Sequence, residues 1–193
     1  MNKFRASYSI LEQWSQGHYD RATTMYFKLV DFTNEYIEAG RNFHEDWEKE
    51  VSKTKSYPKV FGGKKIEGEF KTEYKIERQL DDWLELVGVI DLWQPKEKLI
   101  IDWKSGTVPS TQYSRGFQTK VYQVLLPEAK RAEIHHFNQY NHKTDMSIIH
   151  LTDKTLTEGL DWVLTFSSEM YAYLVDNKLY ERFANESNLR QSL

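Results

Sequence analysis

Leu84-Glu-Leu-Val-Gly-Val-Ile-Asp-Leu-Trp93 and, after Gln94-Pro-Lys-Glu-Lys98, Leu99-Ile-Ile-Asp-Trp103 with Lys104-Ser-Gly106 form the stretch on which the reading of this chain turns. Both runs are almost wholly apolar, the pattern of strands buried on both faces. Two carboxylates, Asp91 and Asp102, and one ammonium, Lys104, sit inside or at the end of these runs, and buried charge needs a partner. The linker is a turn candidate. Any even-length hairpin loop centred between Lys96 and Glu97 sets Asp91 opposite Asp102, with Cβ atoms roughly 4.5–5.5 Å apart. Lys104 then points to the same face as Asp102, and Trp103 to the other. One lysine against two acids leaves an excess of one negative charge, and burying an uncompensated carboxylate is costly. The pattern therefore implies a raised pKa or a bound divalent cation. Hard oxygen ligands without thiols favour Mg²⁺ or Mn²⁺. The plainer alternative is a structural ion pair between Lys104 and one aspartate, holding the sheet in register.

A chain of 193 residues fits one domain, residues 1–193, long enough to bury a real core. With 26 basic and 29 acidic residues the formal charge is −3, so overall charge announces no nucleic-acid binder. A local patch does. Residues 53–65 carry Lys53, Lys55, Lys59, Lys64 and Lys65 with Tyr57 and Phe61 and no acidic residue, a loop or hairpin insertion suited to phosphates and bases. A solvated lysine loop has the same composition. No cysteine is present, which excludes disulfides, thiolate zinc sites and iron–sulfur clusters. The opening Met1–Trp14 lacks the apolar core of a signal peptide, and no long uncharged hydrophobic run occurs, so a cytoplasmic protein without membrane contact is expected.

Periodicity predicts a short helix over 7–16 and a longer one over 31–51, with Tyr36, Ile37, Gly40, Phe43, His44, Trp47 and Val51 on one stripe. A strand over 70–76 precedes the hairpin. A helix over 114–126 stops at Pro127, and strands over 132–138 and 146–151 flank a polar turn. A last helix begins near Thr155, where Thr155 and Glu158 suit a capping box, and carries Leu156, Leu160, Val163, Leu164, Met170 and Leu174. The order describes an α/β domain with a mixed central β-sheet flanked by helices.

Two weaker signals join the carboxylate hairpin. Gln118 and Tyr122 stand one helical turn apart and share a face. His44 lies on the apolar stripe one turn after Gly40, and a helical glycine suggests close approach by something else. Either feature is also common in ordinary amphipathic helices. In this order, Gly40-x-x-x-His44, Gly88-x-x-Asp91, Asp102-Trp-Lys104 and Gln118-x-x-x-Tyr122 resemble the RecB-type branch of the PD-(D/E)XK nucleases, which includes CRISPR-associated adaptation nucleases and the AddAB and RecBCD nuclease domains.

The resemblance spans roughly residues 36–125 and implies a restriction-endonuclease-like core. It implies His44, Asp91, Asp102 and the backbone carbonyl of Trp103 as metal ligands. Asp91, Asp102 and Lys104 become the catalytic set, with Lys104 orienting or helping to deprotonate the attacking water and steadying charge on the phosphate. Gln118 and Tyr122 would position Lys104 and the substrate backbone. The implied activity is Mg²⁺- or Mn²⁺-dependent hydrolysis of DNA, from single-stranded ends and leaving 5′-phosphates, in a phage, a mobile element, or DNA repair or recombination. Many relatives hold an iron–sulfur cluster through cysteines near both termini. Residues 9–19 and 183–193 contain none, so the final helix is expected to tie the ends by packing alone. The rival readings are a non-catalytic nucleic-acid-binding or assembly protein that retains the fold, and an interaction domain that binds no metal. Oligomeric state is left open, a monomer included. His18, His135, His136, His142 and His150 do not repeat at a ligand spacing and read as structural; Tyr57, Phe61 and Tyr113 are stacking candidates.

Overall fold

The protein, described here as a computed structural model, is defined over residues 3–30 and 35–183. Residues 31–34, where the long N-terminal helix was expected to start, and 184–193 lie outside the described residues. The described chain runs β1 (Phe4–Ser7), α1 (Tyr8–Ser15), α2 (Tyr19–Tyr26), α3 (Glu35–Thr54), a 3-10 turn (Lys59–Phe61), β2 (Lys71–Asp81), β3 (Leu84–Gln94) and β4 (Leu99–Gly106). It continues through α4 (Ser110–Tyr113), α5 (Gln118–Leu125), β5 (Arg131–Asn138), β6 (Thr144–His150) and α6 (Asp153–Asp176). The strands form a mixed six-stranded sheet in the order β1-β3-β4-β5-β6, with β2 also paired to β3. No described helix is long and apolar enough to cross a membrane.

The chain divides into two compact units, and β2, β3 and α6 each contribute to both. The first holds residues up to 32, 77–88 and the part from Leu160 onward. In it β1 runs parallel to the start of β3, from Phe4↔Leu84 to Ser7↔Val87. Phe4, Leu11, Leu84, Leu86, Val163, Met170 and Leu174 are fully buried. An aromatic cluster adds to the packing of α6 and joins the N-terminal elements to the residues after it: Phe4 stacks on Tyr26 with centroids 5.0 Å apart, Tyr26 and Tyr180 share a hydrogen bond of 3.0 Å, and Phe27 meets Phe183 at 5.1 Å. Burial, with the neighbouring phenols, pushes the Tyr180 hydroxyl far above its ordinary value, so both phenols stay neutral.

The second unit holds residues 33–76 and 89–159. Here β3 and β4 are antiparallel, β4 and β5 parallel, and β5 and β6 antiparallel. Trp47 and Val51 of α3 form a core with Leu92, Leu99, Ile101, Trp103 and Phe137, so α3 covers the face that Trp103 enters. Asp102 and Lys104 take the opposite face by the period of two. Helix α5 reaches that face, since Gln118 and Tyr122 touch Asp102. The 53–65 segment is a closed loop: Ser56 bridges to Lys65, and Gly62 and Gly63 turn the chain with φ of 94° and 62°, a region that glycine enters without strain.

Several boundaries differ from the sequence reading. The helix expected over 114–126 is only α5, Gln118–Leu125, with the short α4 lying before it, and the strand expected over 70–76 continues to Asp81 as β2. Helix α6 begins earlier than Thr155, because its capping box is Thr152 with Thr155: the Thr155 amide donates to Thr152 Oγ1 at 3.3 Å and the Thr152 amide to Thr155 Oγ1 at 2.7 Å. Glu158 is thereby released from capping and bonds Lys120 at 2.7 Å.

Candidate active site

The hairpin register is the one that the loop length predicts. Gln94 pairs with Leu99, Trp93 with Ile100 and Leu92 with Ile101, where the ladder ends, and Asp91 and Asp102 are the next residues on the two strands. At that step a side chain does the work of a strand. The Trp103 amide donates to Asp91 Oδ2 at 2.6 Å, so the carboxylate takes an N–H that a neighbouring carbonyl would otherwise accept. This fixes the Asp91 carboxylate beside the main chain of β4.

Asp102 is 1% exposed. Its Oδ1 accepts three bonds: from Lys104 Nζ at 3.0 Å, Gln118 Nε2 at 3.2 Å and Tyr122 Oη at 3.3 Å. Gln118 also donates to the Tyr122 hydroxyl at 2.8 Å, so the helical pair acts as a unit. Both residues bind Asp102 rather than Lys104, and they reach the lysine only through the carboxylate. Lys104 Nζ also lies 2.8 Å from Asp102 Oδ2, so the ammonium is the charge partner of both carboxylate oxygens. Asp91 beside it leaves the group with one more acid than base.

The electrostatics follow from two acids and one lysine out of water. Complete burial raises the Asp102 carboxyl above its usual range; Lys104 opposes this and the Asp91 charge adds to it. Burial alone would lower Lys104, but the charges of Asp102 and Asp91 carry it above its ordinary value, so the side chain is an ammonium. Tyr122 is raised well above its usual value by burial and then by both aspartates, which keeps its hydroxyl a donor.

His44 of α3 places Nδ1 3.8 Å from Asp91 Oδ1, a charge contact too long for a hydrogen bond. Burial lowers its pKa, and the larger combined pull of Asp91 raises it. His44 and Asp91 line an open cavity of about 400 Å³ with Gly40, Arg41, Glu45, Glu48, Glu73 and Val89. Gly40 is not forced by a clash, since a Cβ there would meet Ser105 Oγ at 3.5 Å, an ordinary contact. Glu48 and Glu73 were not singled out in the sequence. Glu48 stands one turn after His44, a spacing that could have shown it. Glu73 lay hidden in the charged alternation of β2. It has a left-handed backbone, φ 45°, inside a strand, and burial followed by the Asp91 and Glu48 charges raises its carboxyl.

The structure thus gathers His44, Asp91, Asp102, Trp103, Lys104, Gln118 and Tyr122. It leaves the lysine loop apart. Lys64 and Lys65 line a cavity of about 510 Å³ with Tyr57, and Lys59 another of about 560 Å³ with Phe61, neither of which includes Asp91 or His44. Lys53 lies on the last turn of α3, and Lys55 lies over the Phe70 ring at 5.5 Å. The stacking candidates are engaged by the fold: Tyr57 donates to Gln94, Phe61 packs on Trp47 and His135, and Tyr113 lies under Lys104.

A divalent cation fits these residues. The donors are hard oxygens, and the two aspartates exceed the one lysine. Among the described residues no three His, Asp or Glu side chains close into a cage.

Comparison with known proteins gives the same fold. A family model described as the PD-(D/E)XK nuclease superfamily matches residues 6–191. No curated protein sequence matches the chain. Among solved structures, a phage-related exonuclease from Haemophilus somnus 129PT is similar with a TM-score of 0.57 and 14% identity, over 85% of this chain and 83% of that one. The alkaline exonuclease LHK-Exo from Laribacter hongkongensis gives 0.55 and 10%, over 94% of each chain. Its complex with dAMP gives 0.54 and 11%, over 93% of each.

Proposed function

Because this chain belongs to the PD-(D/E)XK nuclease superfamily, we propose that it is a metal-dependent DNA exonuclease that hydrolyses phosphodiester bonds from single-stranded ends and leaves 5′-phosphates. One observation carries the reading: a fully buried aspartate, Asp102, feels a second aspartate, Asp91, while a single ammonium, Lys104, is its partner, so the cluster holds one acid more than it holds bases. The dAMP-bound relative and the exonuclease neighbours support nucleic acid as the substrate.

Asp91, Asp102, the Trp103 carbonyl and His44 would hold Mg²⁺ or Mn²⁺. Such an ion, when bound, lowers the pKa of its water and polarises a phosphoryl oxygen. The chain's own residues do the rest. Asp91 is locked by the Trp103 amide and Asp102 by Gln118 and Tyr122, so neither carboxylate must reorganise during the reaction. Lys104, held as an ammonium, donates hydrogen bonds, orients the attacking water and steadies negative charge growing on the phosphate. Its raised pKa favours this role over that of a base. The lysine loop supplies the salt-dependent share of DNA affinity.

The test is digestion of end-labelled single- and double-stranded DNA, linear and circular, with Mg²⁺, Mn²⁺ or EDTA. Linear single strands should shorten from an end, circles should resist, and EDTA should stop the reaction. Lys104→Ala should lose cleavage and still bind DNA. Digestion in EDTA, or an equally active Lys104→Ala, would overturn the proposal; metal-independent binding without any product would point to the non-catalytic alternative.

A further inference from the structure

A second polar cluster is built onto the end of β4, away from the carboxylates. In the parallel register Lys104 pairs with His136 of β5 and Gly106 with Asn138. His136 is buried, and both ring nitrogens are engaged: Nδ1 lies 2.7 Å from Asp145 Oδ2 on β6, and Nε2 lies 3.1 Å from the Gly106 carbonyl. The ring is thus held from both sides, by a carboxylate and by a main-chain carbonyl. The other oxygen of Asp145 accepts the Ser110 amide at 2.8 Å, at the start of α4. The Ser110 hydroxyl, also buried, meets that of Ser147 at 2.7 Å. Burial would raise the Asp145 carboxyl, but the bonds from Ser110 and His136 bring it below its usual range.

Helix α4 ends at Tyr113, whose ring centroid is 6.4 Å from that of His136 and 5.6 Å from Lys104 Nζ. The Lys104 ammonium is therefore gripped on one side by Asp102 and on another by an aromatic face. That aromatic face belongs to a segment that leaves the sheet at Gly106, where φ is 134°, and the bonds of His136 and Asp145 tie this segment back to β5 and β6.

We propose that His136 and Asp145 are positioning residues for Lys104: by pinning the Gly106 carbonyl and the first turn of α4, they hold the Tyr113 ring beside the ammonium and so fix Lys104 against Asp102. The proposal rests on the reading of Lys104 as the catalytic cation. Small displacements of a reacting group lower the rate far more than they weaken binding.

The variants are His136→Gln, which keeps a donor toward Gly106 but not toward Asp145, and Asp145→Asn, which sets an amide donor against one of its two donors. Both should lower kcat by about ten- to a hundredfold with little change in KM for a single-stranded end. Lys104 itself gives a readout independent of activity, acetylation by acetic anhydride followed on its peptide by mass spectrometry. Lys120 is the internal control, its side chain being 22% exposed against 18% for Lys104. Lys104 should react several-fold faster in both variants, with Lys120 unchanged. Wild-type reactivity of Lys104, or an equal rise at Lys120, overturns the proposal whatever the activity does. If His136→Gln does not fold, Asp145→Asn decides alone, since Asp145 lies on the more exposed strand. Faster acetylation together with a fully active Lys104→Ala would leave the positioning intact and remove the catalytic reading instead.

Discussion

Gly159→Ala sets two opposed effects against each other at the crossing of α6 and α5. On propensity alone, alanine in a helix interior should stabilise by about 0.5–1 kcal/mol. The added Cβ, however, would lie 2.6 Å from the Lys120 carbonyl oxygen, 2.9 Å from its carbon and 3.1 Å from the Lys120 Cβ. Two of these are helix backbone atoms, which cannot swing aside as a side-chain tip does. Ordinary contact begins near 3.4 Å, so the helices must part by roughly 0.8 Å at this point, and overpacking of that kind costs about 1–3 kcal/mol. The clash wins, leaving a net loss of about 1–2 kcal/mol. Parting the helices also stretches the Lys120–Glu158 contact at 2.7 Å and the Thr155–Gln123 bond at 2.7 Å. Because α5 carries Gln118 and Tyr122, cleavage should fall as well. Urea unfolding of wild type and variant measures the first effect and digestion of labelled DNA the second. A Gly159→Ala protein as stable as wild type or more so would refute the reasoning, since it would mean that the crossing opens freely.

Asp91→Asn keeps an oxygen for the Trp103 amide but removes a charge beside Asp102; folding should survive while Mn²⁺ affinity by calorimetry drops by at least about tenfold, and an unchanged affinity would count against Asp91 as a ligand. Replacing Lys53, Lys55, Lys59, Lys64 and Lys65 by glutamine should flatten the salt dependence of DNA affinity by about 0.7 in slope for each lysine that meets a phosphate of a single strand; an unaltered slope returns the loop to plain solvation. Glu133 is held below its usual 4.5 by the His135 hydrogen bond, against burial, with the His135 and Arg131 charges helping. A depressed folded pKa stabilises the protein above pH 4.5 and ceases to do so as pH falls through the lower folded value. The stability gap between wild type and Glu133→Gln should therefore be present above pH 4.5 and close as pH falls through the lower folded value; a gap that persists well below that region would reverse the assignment.

The nuclease core was legible because its signals are local or follow from symmetry. Buried strands reveal themselves by apolar runs, and a four-residue loop, Pro95–Lys98, sets the hairpin register from Gln94–Leu99 to Leu92–Ile101, just short of the two aspartates. The Gln118–Tyr122 spacing likewise places two side chains on one helical face whatever lies opposite. What lay opposite was not legible: that the pair grips Asp102 rather than Lys104 depends on where α5 lands on the sheet. The use of the Asp91 carboxylate as an acceptor for the Trp103 amide, and the left-handed backbone at Glu73, depend on strand geometry beyond any pairwise spacing. His136, Asp145 and Ser110 are distant in sequence and of common types, so only the parallel register of β4 on β5 and the antiparallel one of β5 on β6 bring them together. The amino-acid order by itself determined which residues are buried, which face each takes and how the central hairpin aligns, since these follow from period and loop length. Tertiary structure alone decided which polar atoms meet, because a hydrogen bond or ion pair depends on ångström-scale distances between elements, and those are set by how the packed core brings the elements together.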